Sequence, residues 1–413
     1  MTSNITRRTF LGGAAALGLV SGGQALTLPK VLLRRKGGAT GSLIVIYLRG
    51  GADFLNMIIP LGDKDYKEAR PTLWLDTDDG AVPLNKQWAL HPSMSAFKSL
   101  WDDGTLAPIV CVGSHDRTRS HFDAQDFMEF AAPGNRTQRQ GWLNRYLAAT
   151  TEGKPDTFRS LAMQGLLPRS LRGNFPVLAM PSDFGGRQDI ATLDAFERFY
   201  GAGSSGGMDE RPSEGDEILA SGTVTIETLR RYQEILGEKS KGDFGYPKTS
   251  FAAALQRTAR LFTAGEGLQV AGLDYNGWDT HTGQGGVEGK QADMLADLSG
   301  SLAAFTRQLG PRLATTSILV MTEFGRTVRE NGNNGTDHGH GSGMFLIGGG
   351  IEGGKVHGEW RGLNTSGLYQ GRDLPVTTDF RDVFGEVLRN RLDFQIPKDF
   401  FDDYTAKKLG LFA

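Results

Sequence analysis

Five short apolar runs limit what this chain can fold into: "SLIVIYL" from Ser42, "LAPIVCV" from Leu106, "GLQVAGL" from Gly267, "TSILVMT" from Thr316 and "GMFLIGG" from Gly343. Each is rich in Val, Ile or Leu, and none alternates with polar residues. A strand with one wet face alternates, so these runs predict central strands covered on both faces. Helical periodicity lies between them. Over 287–309, Met294, Leu295, Leu298, Leu302, Phe305 and Leu309 share one stripe; over 380–392, Phe380, Val383, Phe384, Val387 and Leu388 do the same. Alternating strands and helices predict an α/β fold with a largely parallel central sheet and helices on both faces. Ligands of such sheets bind just beyond the carboxyl ends of the strands.

Polar residues gather at those ends. Asp53 follows the first run, and "SHDRTRSHFD" follows the second. Asp279 and His281 follow the third, and Glu323 ends the fourth. Asp337, His338 and His340 lie between the fourth and fifth. The expected domain spans 41–413. Within it, about 151–250 has weaker strand signals and reads as an insertion or cap. Residues 201–216, "GAGSSGGMDERPSEGD", predict a flexible loop.

Of the seven histidines, His115, His121, His281, His338 and His340 belong to these polar clusters. Neutral imidazole is a common metal ligand, and carboxylates complete many hydrolytic sites. "DTH" spaces Asp279 and His281 two apart, as His338 and His340 are spaced, so an extended segment points both the same way. Asp53, Glu323 and Asp337 supply further carboxylates. The expected cofactor is a divalent ion, zinc, calcium, magnesium or manganese, one or two per chain. Each piece also has a plain reading: Glu323 pairing with Arg326, Asp337 capping a turn, Asp53 bonding its own glycine turn. Glycine supplies 57 of 413 residues, about twice its usual share, and clusters in the same loops.

The N-terminus, "MTSNITRRTFLGGAAALGLVSGGQALTLP", places Arg7 and Arg8 before Phe10, Leu11 and a mild apolar run to Val20. This is the pattern of twin-arginine export, with small residues near Ala25 for cleavage. The run falls well short of the about 20 residues a membrane span needs. The expectation is a periplasmic or secreted protein that meets the twin-arginine export machinery and is not an integral membrane protein once 1–25 is removed. Removal takes two arginines and no acid, moving the net charge from −2 to −4. That balance argues against a nucleic-acid partner. The lone Cys111 rules out an internal disulfide.

"LIVIYLRGGADFLNMIIPLGDKDYKEARPTL", "RSHFDAQDFME", "GWDTHTGQ", "MTEFGRT" and "DHGHGSGMFLIGGG" occur in order over most of the chain after Ser42. Together they resemble the exported family called domain of unknown function 1501, which in turn resembles the alkaline phosphatase and sulfatase superfamily. The resemblance implies an alkaline-phosphatase-like α/β fold, metal ligands on strand-end loops and a hydroxyl nucleophile at a helix N-terminus. Asp53 then matches the first-strand Asp, Asp279 and His281 the later Asp-and-His pair, and His340 the final His before a strand. Glu323 and Phe324 stand where an Asp-His pair is common. Phe324 cannot ligate, so His338 or Asp337 takes the lost ligand's place. Ser120, N-cap of a helix with Asp123 three residues on, is the candidate nucleophile; the plain reading is a capping box. Thr118 is the reserve, and Arg117 and Arg119 are candidate phosphate or sulfate grips. No C-x-P-S-R motif surrounds Cys111, which argues against a formylglycine-type sulfatase.

The function expected is a metal-dependent hydrolase of phosphate or sulfate esters acting on a small-molecule or glycan ester. Two alternatives stand beside it: an exported binding or assembly protein that keeps the fold without catalysis, and a phosphoryl transferase or mutase. Replacing Arg7 and Arg8 with Lys is expected to block export. Cell fractionation checks it, and unchanged delivery would remove the twin-arginine reading.

Overall fold

The computed structural model describes residues 41–413 apart from 154, 182, 185–186, 202–213, 239–241 and 266. The twin-arginine segment lies outside the described residues, as does most of the 201–216 segment; its flanks are helical, ending at Gly201 and resuming at Glu214.

The strands are β1 (Ser42–Arg49), β2 (Ile58–Pro60), β3 (Val82–Pro83), β4 (Trp88–Leu90), β5 (Leu106–Gly113), β6 (Ser160–Ala162), β7 (Leu178–Ala179), β8 (Val270–Asn276), β9 (Thr316–Met321), β10 (Ser342–Gly348) and β11 (Thr378–Asp379). Eight form the central sheet in the order β11-β5-β10-β9-β1-β8-β6-β7, and β2, β4 and β3 form a small antiparallel one. All five apolar runs are strands of the central sheet. The third is shifted: β8 pairs with β1 as far as Arg49↔Asn276, so it continues through Asp274, whose carboxylate accepts from Arg49 at 2.8 Å.

The sheet is parallel except at β10, which runs against both β9 and β5. That reversal decides where the site lies. The loop 322–341 leaves the carboxyl end of β9 and enters β10 at its amino end, so both ends of the loop sit at the edge where β1, β5 and β8 finish. Where β10 meets β5, the register shifts and leaves Cys111 as the extra residue of a bulge, at φ +56°. Burial pushes the Cys111 thiol up to about 12, which removes it as a nucleophile.

Alternate side chains of β1 enter two cores. Ile44, Ile46 and Leu48 pack with Leu295, Leu298, Leu302 and Phe305 of helix Lys290–Leu309. Leu43, Val45 and Tyr47 pack with Phe380, Val383, Phe384 and Val387 of helix Phe380–Asn390, whose N-cap Asp379 accepts from the Arg381 amide. Both expected stripes therefore face a core, one on each side of the sheet. Within 151–250, β6 and β7 extend the sheet itself, and helix Glu214–Gly237 packs on helix Ser250–Thr263. Among the described residues, no helix is long and apolar enough to cross a membrane.

Phe384 is fully buried and stacks on Trp142 with ring centroids 4.2 Å apart. Phe384→Ala is expected to cost about 3–5 kcal/mol of stability, measurable by urea unfolding.

Candidate functional site

Three segments at the sheet edge deliver four side chains to one point. The loop after β8 carries Asp279 and His281. The loop before β10 carries His338. The helix α1 (His121–Glu129) begins with His121. His338 Nε2 lies 2.9 Å from His121 Nε2 and 2.9 Å from His281 Nε2. Asp279 Oδ1 lies 3.1 Å from His281 Nε2 and 3.4 Å from His338 Nε2, and its Oδ2 is 3.5 Å from His121 Nε2. His121, Asp279 and His338 form a set able to hold a metal ion.

The other nitrogen of each ring fixes its tautomer. His121 Nδ1 meets Glu323 Oε1 at 2.7 Å, His281 Nδ1 meets Asp337 Oδ1 at 2.9 Å, and His338 Nδ1 meets the Arg119 carbonyl at 2.9 Å. All three partners only accept, so each Nδ1 carries the hydrogen, and in its neutral form each ring turns a bare Nε2 inward. Satisfying both nitrogen–nitrogen contacts with protons would charge two rings around a third. A divalent ion held by His121, Asp279 and His338 would satisfy those three groups, with His281 Nε2 2.9 Å from His338 Nε2 beside them. Ligands about 2.0–2.1 Å from a tetrahedral ion sit about 3.3 Å apart, close to the 2.9–3.5 Å found here. The residues present fit such an ion.

The surroundings tune these groups. The Glu323 hydrogen bond, working against burial, holds His121 above its ordinary pKa, which a bound cation would oppose. Burial, with the charge of His121, lowers His338. Burial works to raise the Asp279 carboxyl, but the Arg326 guanidinium at 2.7 Å, aided by His281 and His121, keeps it low and ionised. Arg326 is buried and also donates to the Gly51, Thr336 and Trp278 carbonyls. Glu323, 2% exposed, also accepts from Gln125 and the Gly50 amide, and so stays ionised despite its burial. Gly50, at φ +121°, has no room for a side chain: a Cβ there would stand 2.5 Å from the Asp279 amide nitrogen.

Of the expected ligands, Asp279, His281 and His338 meet at the centre. Glu323 and Asp337 stand behind it and orient His121 and His281. Glu323 does not pair with Arg326, which is committed to Asp279. Two expected ligands are placed elsewhere. Asp53 is buried in an ion pair with Arg70 (2.6 and 3.0 Å) and accepts from Gln284, so its carboxylate is spent within the protein. His340 stacks on Tyr369 at 4.2 Å, and burial, with nearby Arg119, lowers it to about 4. Phe324 packs its ring 4.8 Å from His121 and 5.0 Å from His338, filling space beside the centre. Arg119 is tied to Asp373 at 2.7 Å instead of standing as an open fork, and its carbonyl is what aligns His338.

Ser120 occupies the N-cap position of α1 in extended conformation, but its side chain makes no capping bond. Thr118 Oγ1 accepts from the Ser120 amide instead, at 3.2 Å. The exposed Ser120 hydroxyl thus stands uncommitted beside His121. His121 belonged to the histidines of interest, but its place at the start of a helix, eight residues beyond the end of β5, set it apart from the other candidate ligands. Arg70 and Gln284 lie inside the family motifs without being singled out there, and Arg326 was considered only as a partner for Glu323.

The model of the family described as "Protein of unknown function (DUF1501)" matches residues 40–393. The chain belongs to this family. No curated protein matches the DUF1501 chain. It is similar to the solved structure of Ps i-CgsB in complex with k-i-k-neocarrahexaose, at 9% identity over 90% of this chain and 76% of that one, TM-score 0.38. It is also similar to the zinc complex of the C-terminal periplasmic domain of EcEptC from Escherichia coli, at 8% identity over 79% and 77%, TM-score 0.34. A third similarity is to the phosphonate monoester hydrolase of Agrobacterium radiobacter, at 12% identity over 89% and 78%, TM-score 0.33. Likenesses at these scores carry no functional argument.

Because the Ser120 hydroxyl caps nothing in this DUF1501 protein, Ser120→Ala is expected to change stability by less than about 0.5 kcal/mol, as thermal melts will read. A loss of about 1 kcal/mol would restore the capping box.

Proposed function

We propose that this protein holds one divalent ion, of the zinc type, through His121, His281, His338 and Asp279, and hydrolyses phosphate or sulfate esters after export through its Arg7-Arg8 segment. The observation that carries the reading is the convergence of three bare Nε2 atoms on one carboxylate, each ring held from behind by an acceptor. Imidazole donors favour zinc and its neighbours over magnesium and calcium, which prefer all-oxygen shells. Phe324 beside His121 and His338 favours a single ion.

A bound ion of this kind supplies Lewis-acid stabilisation of charge on the ester's oxygens. The chain's own groups do the rest. Arg326 keeps Asp279 ionised and aimed. The first amides of α1 have no partner within the helix and favour an anion at its N-terminus. Ser120 Oγ, exposed at that terminus, would attack phosphorus or sulfur as the ester's bond to its alcohol breaks, its proton going to the departing alkoxide, and water would then cleave the seryl ester to release phosphate or sulfate. A cleft of about 390 Å³ opens beside Asp337, lined by Arg329, Asn331, Asn364, Thr365 and Arg372 among others, and offers room for the remainder of a small-molecule or glycan ester. The uncommitted Ser120 hydroxyl equally suits a phosphoryl transferase. Phe324 in place of a ligand is what favours the non-catalytic binding reading.

Elemental analysis of protein purified without chelators is expected to give about one zinc per chain. His121→Ala and His338→Ala are each expected to weaken zinc by more than the about 10–100-fold that a lost outer-shell partner costs, while His340→Ala keeps wild-type affinity. Turnover of 4-nitrophenyl phosphate and sulfate is expected to vanish in Ser120→Ala with zinc retained. Wild-type protein that binds zinc but turns over neither ester would favour the binding-protein reading. A zinc-free wild type would remove the metal reading.

A further inference from the structure

Asp53 and Gln284 lie outside the centre, yet both ligand loops lead back to them. Gln284 is fully buried. Its side-chain Oε1 accepts from Thr280 Oγ1 at 2.9 Å and from Thr336 Oγ1 at 2.7 Å, and its Nε2 donates to Asp53 Oδ2 at 2.6 Å. Thr280 is the residue between Asp279 and His281. Thr336 immediately precedes Asp337 and stands two before His338. One amide group therefore ties the segment bearing Asp279 and His281 to the segment bearing His338 and Asp337, the support of His281.

The junction is anchored from below and closed tightly. Arg70 donates to both Asp53 oxygens and to the Thr327 and Val328 carbonyls, so the root of the clasp also grips the start of the 327–338 stretch. The two loops touch backbone to backbone: the Thr336 amide donates to the Thr280 carbonyl at 3.1 Å, and a Cβ on Gly335 would lie 2.5 Å from the His281 carbonyl. A side-chain amide has two faces, so only one orientation of Gln284 satisfies two hydroxyl donors and one carboxylate acceptor together. In a buried setting, an alternative register would leave these groups unpaired, which strongly disfavours it.

We propose that Gln284 is a positioning residue of the metal centre: it locks the 279–284 loop against the 327–338 loop in the register that brings Asp279 and His281 to His338. The role rests on the metal reading above. Gln284 touches none of the four ligand side chains, so it acts through Thr280 and Thr336. Asp53 orients the amide, which gives this buried strand-end carboxylate a role outside the centre.

The test is zinc affinity, measured by competition with a chromophoric chelator on folded protein, with thermal melts of the metal-free form alongside. Gln284→Met keeps the volume and removes all three hydrogen bonds. It is expected to weaken zinc about tenfold or more. Thr336→Val removes a single arm, is expected to weaken zinc by a smaller factor, and carries the test if Gln284→Met does not fold. The double variant is expected to bind no more weakly than Gln284→Met alone, because both changes break one device. Wild-type zinc affinity, within twofold, in a folded Gln284→Met or Thr336→Val protein overturns the proposal even if the melt has dropped. Wild-type protein that binds no zinc overturns the metal reading and this role with it.

Discussion

Every ring at the centre has committed one nitrogen to an acceptor that cannot give a proton back. Glu323, Asp337 and the Arg119 carbonyl each hold an Nδ1–H, and the price of that order is three bare nitrogens crowded within about 3 Å contacts. Like lone pairs repel, and a cation would resolve the conflict. Arg326 adds a second constraint by keeping Asp279 ionised, so the ion would meet a negative oxygen together with neutral imidazoles.

The sheet makes that meeting possible. β1, β8 and β9 run in parallel and finish at one edge, which brings the Gly50–Gly51 turn, Asp279 and Glu323 side by side. β10 is reversed, so the long loop before it returns to the same edge instead of crossing the molecule. Glycines then let these loops lie against each other. Gly335 against His281, and Gly50 against Asp279, are contacts that leave no space for a Cβ. The glycine clusters of the sequence therefore answer to close approach of backbones around one site.

Much of the sheet was legible in the chain because strands buried on both faces must be apolar throughout, as β1, β5 and β9 are. β6, β7 and β11 were not, since two or three residues such as "LA" or "TD" hold no periodicity. Periodicity also carries no direction, so the reversal of β10 had no signature. At the site, Asp279, His281 and His338 were legible as His and Asp close together after apolar runs. Asp53 was misplaced for a specific reason. Its partner Arg70 lies in "KEARPTL", which reads as solvated surface, and only the fold buries that guanidinium against the carboxylate. His340 and His338 share a spacing but not a side: His338 turns to the centre and His340 to Tyr369. Ser120 drew attention as an N-cap, while the residue of that segment that joins the cluster is its neighbour His121.

The most direct measurement is X-ray absorption at the zinc edge on zinc-loaded protein. The account predicts a four-coordinate shell of three imidazole nitrogens and one carboxylate oxygen, at about 2.0–2.2 Å. An all-oxygen shell, a shell with a single imidazole, or no zinc retained after loading would contradict it.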